Sequence, residues 1–370
     1  MKKVGKEVLF LDTDKNNLRN GESTMIRLKD NRIMFLYTQF YGKTSDDDST
    51  ARLCASYSSD EGETWSIPKV IISKPETAQN IMSPSLFRLP DGGLGVIYLR
   101  KDIQEDNNIS CMPVFSRSDD EGESWSEAID CGMPVGYYCV VNDCALVSKS
   151  GRIYMPMSYY GSHYGVQPGE IHIAYSDDCG KSWHESDRSF HSPFCDSFGL
   201  AEPGIFEHEN GDMWIYMRTP YGHQYQTFSF DHGKTWMPIV PNFRFTSPDS
   251  PMRVKRIGKY VIAAYNPVSF NCLRTDTELW GSPKRTPIVI SVSKDDGKSF
   301  TDRTKVFADG GYKDIIENTY LLEDDTTNSY CYPSLIETND GFLVSYYHSN
   351  NSKLCLNASK INKVYYSELI

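Results

Sequence analysis

The amino-acid sequence predicts an all-β fold, a six-bladed β-propeller with Asp-box turns, and three observations lead to it. A turn motif occurs five times at nearly constant spacing, and a hairpin pattern occurs six times along the 370 residues. Such repetition indicates a repeat architecture whatever the chain length suggests. Aromatic residues make up 13% of the chain, including 24 Tyr. Aromatic side chains favour strands because they pack well on a pleated surface.

The turn motif is S-x-D-x-G-x-[ST]-[WF], and its copies begin 60, 58, 53 and 64 residues apart. Its chemistry is structural. The Asp carboxylate can accept hydrogen bonds from nearby backbone N–H groups, the Gly can adopt positive φ, and the aromatic ring is expected to be buried between strands. We therefore expect these Asp residues to shape turns rather than to catalyse a reaction. The five copies are residues 58–65, 118–125, 176–183, 229–236 and 293–300.

The hairpins alternate with the turn motifs, and each has a turn-forming sequence at its centre. In the fourth hairpin this sequence is Asn210-Gly211, which predicts a type I′ turn with positive φ at both central residues. The six predicted hairpins are residues 23–39, 83–99, 144–159, 202–218, 251–266 and 332–347, with turns at Asp30-Asn31, Asp91-Gly92-Gly93, Ser150-Gly151, Asn210-Gly211, Gly258-Lys259 and Asn339-Asp340-Gly341.

The sixth hairpin is not followed by a turn motif, so its blade needs a strand from elsewhere. Residues 7–11 at the N-terminus or residues 364–370 at the C-terminus could complete it. Such closure would tie the two ends of the ring together and remove an exposed sheet edge. No linker or low-complexity segment divides the chain. We therefore expect one propeller domain spanning residues 1–370.

The bulk composition limits the partners. The formal net charge is −11, which argues against a nucleic-acid or anionic-membrane partner because both require a basic surface. An anionic ligand would need a few arginines that create a local positive site. No apolar run approaches the roughly 18 residues needed to span a bilayer. The sequence leaves the oligomeric state open.

The cysteines and the N-terminus bear on the cellular compartment. The ten Cys are scattered and include no C-x-x-C pair, so zinc-binding and thioredoxin-like interpretations are weak. The first residues carry two lysines but no apolar segment long enough for a signal peptide. We expect a cytoplasmic protein with free thiols, since the cytosol is reducing. If a signal peptide has been removed, a secreted protein is expected instead.

The repeat predicts at which end of each blade the polar residues lie. In every hairpin the residue before the first strand and the residue after the second lie at the same end, opposite the turn. By pseudo-symmetry the six open ends converge on one face around the axis. The open-end residues are Arg19, Glu22, Asn142, Asp143, Glu202, Arg218, Gln224, Asn266, Arg285, Tyr332, Tyr347 and His348.

Three arginines in this set, Arg19, Arg218 and Arg285, come from different blades. A guanidinium is a planar fork suited to a carboxylate, so together they could bind an acidic ligand. Each could instead cap a loop or pair with a local acid. Glu202 and Arg218 are the two ends of one hairpin, so they could form a structural ion pair. Tyr332 is one Tyr among 24, and a single Tyr usually contributes to packing.

The Asp boxes, the six blades and the order Arg, Glu-Arg, Arg, Tyr resemble the sialidase (neuraminidase) superfamily, and more closely the bacterial sialidase-like BNR-repeat proteins. The resemblance covers nearly the whole chain. It implies that Arg19, Arg218 and Arg285 clamp the substrate carboxylate and that Glu202, in Glu202-Pro203-Gly204, is the family's glutamate. It also implies that Tyr332 is the nucleophile, since Tyr332-Pro333-Ser334-Leu335 resembles the family's Tyr-Ser-x-Leu stretch.

The resemblance also implies an acid/base aspartate in the loop before the first Asp box. This favours Asp47, with Asp46 and Asp48 as alternatives. The sequence departs from the family pattern at the first arginine, which usually lies in Arg-Ile-Pro but here lies in Leu18-Arg19-Asn20-Gly21-Glu22. Glu22 is therefore a further candidate for substrate binding. The remaining substrate-binding candidates are the open-end residues Asn142, Asp143 and Gln224.

The activity implied is that of a retaining exo-glycoside hydrolase that removes terminal sialic or related nonulosonic acids from glycoconjugates. A neutral phenol suits such a substrate because the carboxylate on the anomeric carbon would repel a carboxylate nucleophile, and sialidases are known exceptions to the two-carboxylate rule. No metal or organic cofactor is needed. Two alternatives remain open, a non-catalytic glycan-binding propeller and a glycosidase or lyase for another acidic sugar such as a uronate.

Overall fold

The computed structural model describes residues 1–194, 198–268, 285–300, 318–349 and 356–369. These residues form six antiparallel sheets, which confirms the predicted all-β, six-bladed propeller. The inner strands of successive blades contact one another, and the inner strand of the sixth blade contacts that of the first. The sheets therefore form a closed ring.

The first three blades follow one another along the chain, and each begins with its innermost strand. In blade three the innermost strand is split into two short pieces that both pair with the next strand. Blade one consists of β2 (Arg19–Arg27), β3 (Ile33–Phe40), β4 (Ala51–Ser58) and β5 (Lys69–Ile72). Blade two consists of β6 (Asn80–Arg88), β7 (Leu94–Ile103), β8 (Ile109–Ser118) and β9 (Ile129–Asp130). Blade three consists of β10 (Tyr138–Cys139), β11 (Leu146–Val147), β12 (Ile153–Tyr159), β13 (Glu170–Ser176) and β14 (His184–Glu185).

The last three blades include the closure of the ring. Blade four consists of β15 (Ala201–Glu207), β16 (Met213–Arg218), β17 (His223–Ser229) and β18 (Val240–Thr246). Blade five consists of β19 (Arg253–Ile257), β20 (Tyr260–Tyr265), β21 (Ile288–Ser293) and β22 (Thr319–Glu323). Blade six consists of β23 (Tyr330–Thr338), β24 (Gly341–His348), β25 (Ala358–Tyr365) and β1 (Lys6–Leu11), and a single 3-10 turn, Tyr366–Glu368, follows it.

The two chain ends close the sixth blade together. The C-terminal strand β25 pairs with β24, and the N-terminal strand β1 pairs with β25 as the outermost strand. The two candidates for closure were therefore not alternatives, because both are used. The C-terminal strand also begins earlier than the predicted residues 364–370. Hydrogen bonding between the two ends of the chain joins them in one sheet and closes the ring.

The five Asp boxes form turns of one kind, and the first illustrates them. The Asp60 carboxylate accepts hydrogen bonds from the Thr64 backbone N–H (2.9 Å) and hydroxyl (2.6 Å), and from the Ser58 hydroxyl (2.8 Å). Gly62 has φ of 86°, and its N–H donates to the Ser58 hydroxyl. The Trp65 indole N–H donates to the Gly62 carbonyl at 3.1 Å. The predicted structural role of the box is confirmed.

The hairpin turn at residues 208–212 differs from the prediction. Gly211 has φ of 88°, but Asn210 does not have positive φ. The loop is closed by hydrogen bonds from the His208 N–H to the Asp212 carbonyl (2.8 Å) and from the Gly211 N–H to the His208 carbonyl (3.0 Å). The type I′ prediction is therefore wrong. A three-residue loop that ends in a left-handed glycine is another common connection between two such strands.

The hydrophobic core consists of layers between neighbouring blades. Leu36 of blade one and Leu86 of blade two belong to one cluster, and Phe35 of blade one and Leu343 of blade six belong to another. Each sheet thus uses both faces for packing, which is why its strands contain nearly continuous apolar runs. This packing fixes the angle between blades and so the position of their inner ends.

Other properties of the chain can be read from the described residues. The cysteines at positions 54, 111, 131, 139, 144 and 179 are free thiols. Cys195, Cys272 and Cys355 lie outside the described residues. None of the described helical segments is long and apolar enough to cross a membrane.

Candidate active site

The open ends of the blades carry a recurring irregularity. The pairing of the innermost strand with its neighbour shifts register at this end in blades one, two, four and six. In every blade a non-glycine residue with positive φ lies there. These residues are Glu22 (49°), Ser83 (56°), Asp143 (57°), Glu202 (42°), Asp249 (59°) and Tyr332 (55°). Such a conformation costs about 1–3 kcal/mol and is typically kept at functional sites.

A cavity of about 930 Å³ opens on this face of the ring. Six of the residues predicted from the sequence line it, and they come from blades one, four, five and six or the loops beside them. They are Arg19, Asp47, Glu202, Arg218, Arg285 and Tyr332. No described Asp-box residue lines this cavity. Groups that are up to 313 residues apart in sequence, from Arg19 to Tyr332, therefore lie around one cavity at the open ends of the blades.

Tyr332 and Glu202 both line the cavity and are joined by a hydrogen bond. The Tyr332 hydroxyl donates a hydrogen bond of 2.5 Å to Glu202 Oε1, and Arg218 Nη1 donates to Glu202 Oε2 at 2.6 Å. The Arg285 guanidinium carbon lies 5.6 Å from the centre of the Tyr332 ring. Burial and the Glu202 charge raise the pKa of Tyr332 well above its ordinary value, although Arg218 and Arg285 oppose this. The phenol is therefore protonated, and its proton points at a carboxylate.

Arg218 is held by a second acid that the sequence reasoning missed. Asp249 accepts hydrogen bonds from Arg218 Nε at 2.7 Å and from Arg218 Nη2 at 3.1 Å. Asp249 occupies the same left-handed position in blade five as Glu202 and Tyr332 occupy in theirs. The predicted hairpin began at Pro251, two residues too late to include it. An acid directly before the hairpin, as in Glu202-Pro203, was the signal that could have found it.

Arg19 makes contacts with three side chains of the site. Its Nε donates to the Tyr347 hydroxyl at 2.9 Å, its Nη1 to Asp47 Oδ1 at 2.5 Å, and its Nη2 to Glu22 Oε1 at 3.3 Å. Gly21 is required beside it, because a Cβ there would lie 1.6 Å from Cε1 of Tyr347. The close approach of the glycine backbone thus makes room for the ring that supports Arg19.

Glu22 is buried and does not line the cavity. It accepts the long bond from Arg19 and a short hydrogen bond from the Ser83 hydroxyl of blade two. Burial raises the pKa of Glu22 to about 7, with Arg19 opposing and Asp47 and Glu202 adding to the effect. Glu22 therefore contacts Arg19 without lining the cavity, and its charge depends on pH near neutrality.

The structure distinguishes the three neighbouring aspartates. Asp47 directs its carboxylate to Arg19, whereas the Asp48 carboxylate accepts a hydrogen bond of 2.7 Å from Lys101. Desolvation opposes ionisation of Asp47, but the charges of Arg19 and Lys101 outweigh it and hold the pKa of Asp47 below its ordinary value. The Asp47 side chain is 64% exposed, so it remains accessible from the cavity.

Arg285 differs from the other two arginines. Its Nη1 lies 3.3 Å from the Cys331 sulfur, and within the described part of the chain it forms no ion pair with a carboxylate. Arg218 and Arg19 each pair with two carboxylates. The structural interpretation therefore applies to Arg218 and Arg19, and the ligand-binding interpretation of the three arginines stays a prediction. Two guanidinium groups are engaged in local ion pairs, and the Arg285 guanidinium retains open donors.

Three further substrate-binding candidates lie outside the cavity lining, as Glu22 does. The Asn142 amide donates to the Ser23 carbonyl at 2.6 Å, and the Gln224 amide donates to the Ser250 carbonyl at 2.8 Å. Asp143 accepts a hydrogen bond of 2.6 Å from Lys255. All three predicted residues are buried and connect different segments of the chain. Their predicted contact with a substrate stays a prediction.

An aromatic wall, formed by Tyr137, Tyr160, Tyr164 and Phe198, lines the blade-three side of the cavity. The Tyr160 and Tyr164 ring centres are 5.1 Å apart, and those of Tyr137 and Tyr164 are 5.3 Å apart. Phe198 lies under Arg218, with its ring centre 5.3 Å from the guanidinium carbon. None of these four residues was predicted from the sequence as part of the site. The Tyr-rich stretch around Tyr159-Tyr160 and Tyr164 was the available signal.

The cavity combines acids, arginines and a phenol. In the described part of the chain, no group of three or more His, Cys, Asp or Glu side chains is arranged to hold a metal ion. A short bond between a phenol and a carboxylate, beside an exposed aspartate, can support nucleophilic attack and proton transfer. The arginines can bind an anionic group nearby.

Comparison with known proteins identifies the family of this chain and solved structures of similar fold. The model of a family described as a BNR repeat-like domain matches residues 31–345. No curated protein matches the chain. A protein of unknown function from Dyadobacter fermentans has a similar structure, with a TM-score of 0.73 and 17% identity over 97% of this chain and 98% of that one.

Two solved structures with sialidase titles are also similar. The NanB sialidase of Streptococcus pneumoniae has a TM-score of 0.70 and 14% identity over 99% of this chain and 71% of that one. The intramolecular trans-sialidase of Ruminococcus gnavus has a TM-score of 0.67 and 13% identity over 98% of this chain and 97% of that one. Likeness at such identities shows the fold, so activity must be argued from the cavity itself.

Proposed function

This chain belongs to the BNR repeat-like domain family, and from that membership and the geometry of the cavity we propose that it is a retaining exo-glycosidase of the sialidase type. Its substrate would be a glycoconjugate with a terminal sialic or related nonulosonic acid. The observation that carries the proposal is the 2.5 Å hydrogen bond from the Tyr332 hydroxyl to Glu202. This bond lies in a cavity lined by three arginines.

The first step would form a glycosyl-enzyme bond. Glu202 takes the phenolic proton as Tyr332 Oη bonds to the anomeric carbon. The bond from that carbon to the leaving oxygen breaks, and Asp47 donates a proton to that oxygen from its protonated form. This is the minor form at neutral pH because desolvation is outweighed by the charges of Arg19 and Lys101, which lower the pKa of Asp47. The raised pKa of Tyr332 makes the adjacent base necessary, because a neutral phenol is a weak nucleophile.

The second step would reverse the roles. Asp47 takes a proton from water, the water oxygen bonds to the anomeric carbon, and the bond to Tyr332 breaks. Glu202 then returns the proton to the phenolate oxygen. Two displacements on one carbon retain its configuration. Throughout, Arg285 would bind the substrate carboxylate with its open donors, and Arg218 and Arg19 would each add a single hydrogen bond to the same carboxylate.

Release of a fluorogenic group from an aryl sialoside tests the proposal, with the matching aryl uronide assayed in parallel. The variant Tyr332→Phe should lose turnover and keep ligand binding. Tyr346→Phe is a matched control, because Tyr346 is also buried and donates a 3.0 Å hydrogen bond to a glutamate, Glu323. That variant should keep its activity. Full activity of Tyr332→Phe would remove the nucleophile assignment.

One observation favours a second candidate, a glycosidase or lyase for another acidic sugar. Arg19 already carries Asp47 and Glu22, so it has few donors left for a substrate carboxylate. A site in which only one guanidinium has several open donors would suit an acidic sugar whose carboxylate is attached differently from that of a sialic acid. Preferred release from the uronide would support this alternative. Binding of both sugars without turnover of either would support a non-catalytic glycan-binding propeller.

A further inference from the structure

The acidic loop, residues 46–48, belongs to blade one but is attached to blade two. Lys101 of strand β7 donates hydrogen bonds to the Asp47 carbonyl (2.9 Å) and to Asp48 Oδ1 (2.7 Å). Its side chain is only 2% exposed, and lysine is almost never buried unless it is paired. Its ammonium group lies 5.5 Å from the centre of the Tyr137 ring, in the wall of the same cavity. The buried Lys101 ammonium group thus contacts the acidic loop directly.

Two amide side chains at the start of blade two complete the attachment. Asn80 Nδ2 donates to the Asp47 carbonyl (2.6 Å) and to the Ser49 carbonyl (2.9 Å), and Gln79 Nε2 donates to the Asp48 carbonyl (2.7 Å). Every backbone carbonyl from Asp47 to Ser49 therefore accepts a hydrogen bond from blade two. Asn80 is fully buried, so its contacts fix the loop against the rigid inner part of the sheet.

We propose that Lys101, Asn80 and Gln79 are positioning residues that hold the acidic loop over the cavity and direct the Asp47 carboxylate toward the leaving group of a bound glycoside. The role of Asp47 in this inference rests on the proposed function. The attachment is needed because the Asp47 side chain is mostly exposed and lies on a loop rather than on a strand. Displacement of a reacting group by about 1 Å can cost a factor of about 10² in rate.

Lys101 also contributes charge. The cations that face Asp47 are Arg19, Lys101 and Arg218, and Glu22 is the anion that interacts with it. Burial alone would lower the pKa of Lys101, but Cys111, Tyr137 and the two aspartates raise it above its ordinary value, so the side chain stays charged. Removing this charge should make Asp47 easier to protonate.

Two variants separate position from charge. Lys101→Met should lower kcat/KM about 10²-fold and move to higher pH the limb of the kcat/KM profile that reports Asp47. Asn80→Ala should lower kcat/KM without moving that limb, because the Lys101 charge remains. Lys363→Met is the matched control. Lys363 is also buried and pairs with two carboxylates, Glu63 and Asp340, outside the cavity lining.

The expected result is that Lys363→Met changes the unfolding midpoint but leaves both kcat/KM and its pH profile unaltered. A Lys101→Met enzyme with unaltered kcat/KM and pH profile would overturn the proposal. If Lys101→Met fails to fold, Lys101→Gln is assayed in the same way. Gln keeps a hydrogen-bond donor but lacks the charge, so the pH limb should still move, and an unmoved limb would overturn the role of the charge.

A measurement without turnover distinguishes failure of this inference from failure of the proposed function. Peptides covering residues 43–49 should exchange amide hydrogens faster in Lys101→Met and Asn80→Ala than in the unaltered protein and in Lys363→Met. Equal exchange would overturn the attachment even if the enzyme is active. Faster exchange in a protein that cleaves no acidic glycoside would support the attachment and reject the proposed function.

Discussion

The substitution Glu22→Gln should abolish a pH-dependent loss of stability that the buried carboxyl group imposes. Burial raises the pKa of Glu22 from 4.5 to about 7. In the unfolded chain the group should have its ordinary value. Between these two pH values the folded protein keeps the proton and the unfolded chain loses it, so stability falls as pH rises. Relative to the ionised group, the protonated Glu22 carboxyl stabilises the fold fully below pH 4.5, and this stabilisation is lost as the pH rises through about 7.

The size of the effect follows from the two pKa values. Their difference, 7 − 4.5, corresponds to about 3 kcal/mol of unfolding free energy. Gln remains neutral at every pH, and its amide can contact both Arg19 and Ser83, the two groups that Glu22 contacts. Relative to the unaltered protein, Glu22→Gln should therefore gain about 3 kcal/mol in stability between pH 4.5 and pH 7.

Urea unfolding of both proteins at a series of pH values measures this difference. Glu323→Gln is a control of opposite sign. Desolvation opposes ionisation of Glu323, but Lys360 outweighs it and lowers the pKa of Glu323, so its stabilising contribution is present at neutral pH and lost on acidification. That variant should be less stable at neutral pH. Parallel stability curves for Glu22→Gln and the unaltered protein would refute the reasoning about Glu22.

Two further predictions concern the arginines. Arg285→Gln should weaken binding of a carboxylate sugar about 10–100-fold in calorimetric titration, because Arg285 has the open donors; a larger loss in Arg19→Gln would contradict the donor argument. Gly21→Ala should lower stability by about 1–3 kcal/mol in urea unfolding and weaken the Arg19 contact with Tyr347, since the new Cβ would overlap the Tyr347 ring. An unaltered unfolding midpoint would show that the ring moves freely.

Most of the fold could be predicted from the sequence because its signals are local. Residues from Ser58 to Trp65 make a turn whose hydrogen bonds join groups within a few residues of one another. Repetition of such turns at a fixed interval counts the blades. The errors also have local causes. At the turn of the fourth hairpin only Gly211 has positive φ, and the loop is longer than the predicted two-residue turn. The preference of Asn-Gly for turns predicts where the loop lies but does not fix its length.

The candidate site was predictable in part. The prediction that the open ends of the hairpins converge on one face named five of the residues that line the cavity, because strand direction alone decides which end of a hairpin faces which side. That prediction did not distinguish residues that line the cavity, such as Glu202, from residues that do not, such as Asn142. Glu202 and Tyr332 lie at register shifts in the inner strands of blades four and six, and such shifts change which face a side chain takes, because a one-residue slip turns it to the other side of the sheet.

By itself the sequence determined the number of blades, the turns between strands and the side of the ring on which the polar ends lie. These depend on hydrogen bonds and hydrophobic alternation within about 60 residues. Only the tertiary structure decided that Tyr332 donates to Glu202, that Asp249 supports Arg218, and that Lys101 carries the loop of another blade. Such contacts depend on the angle at which packed blades meet, which follows from the shapes of many buried side chains together and is written in no single stretch of the chain.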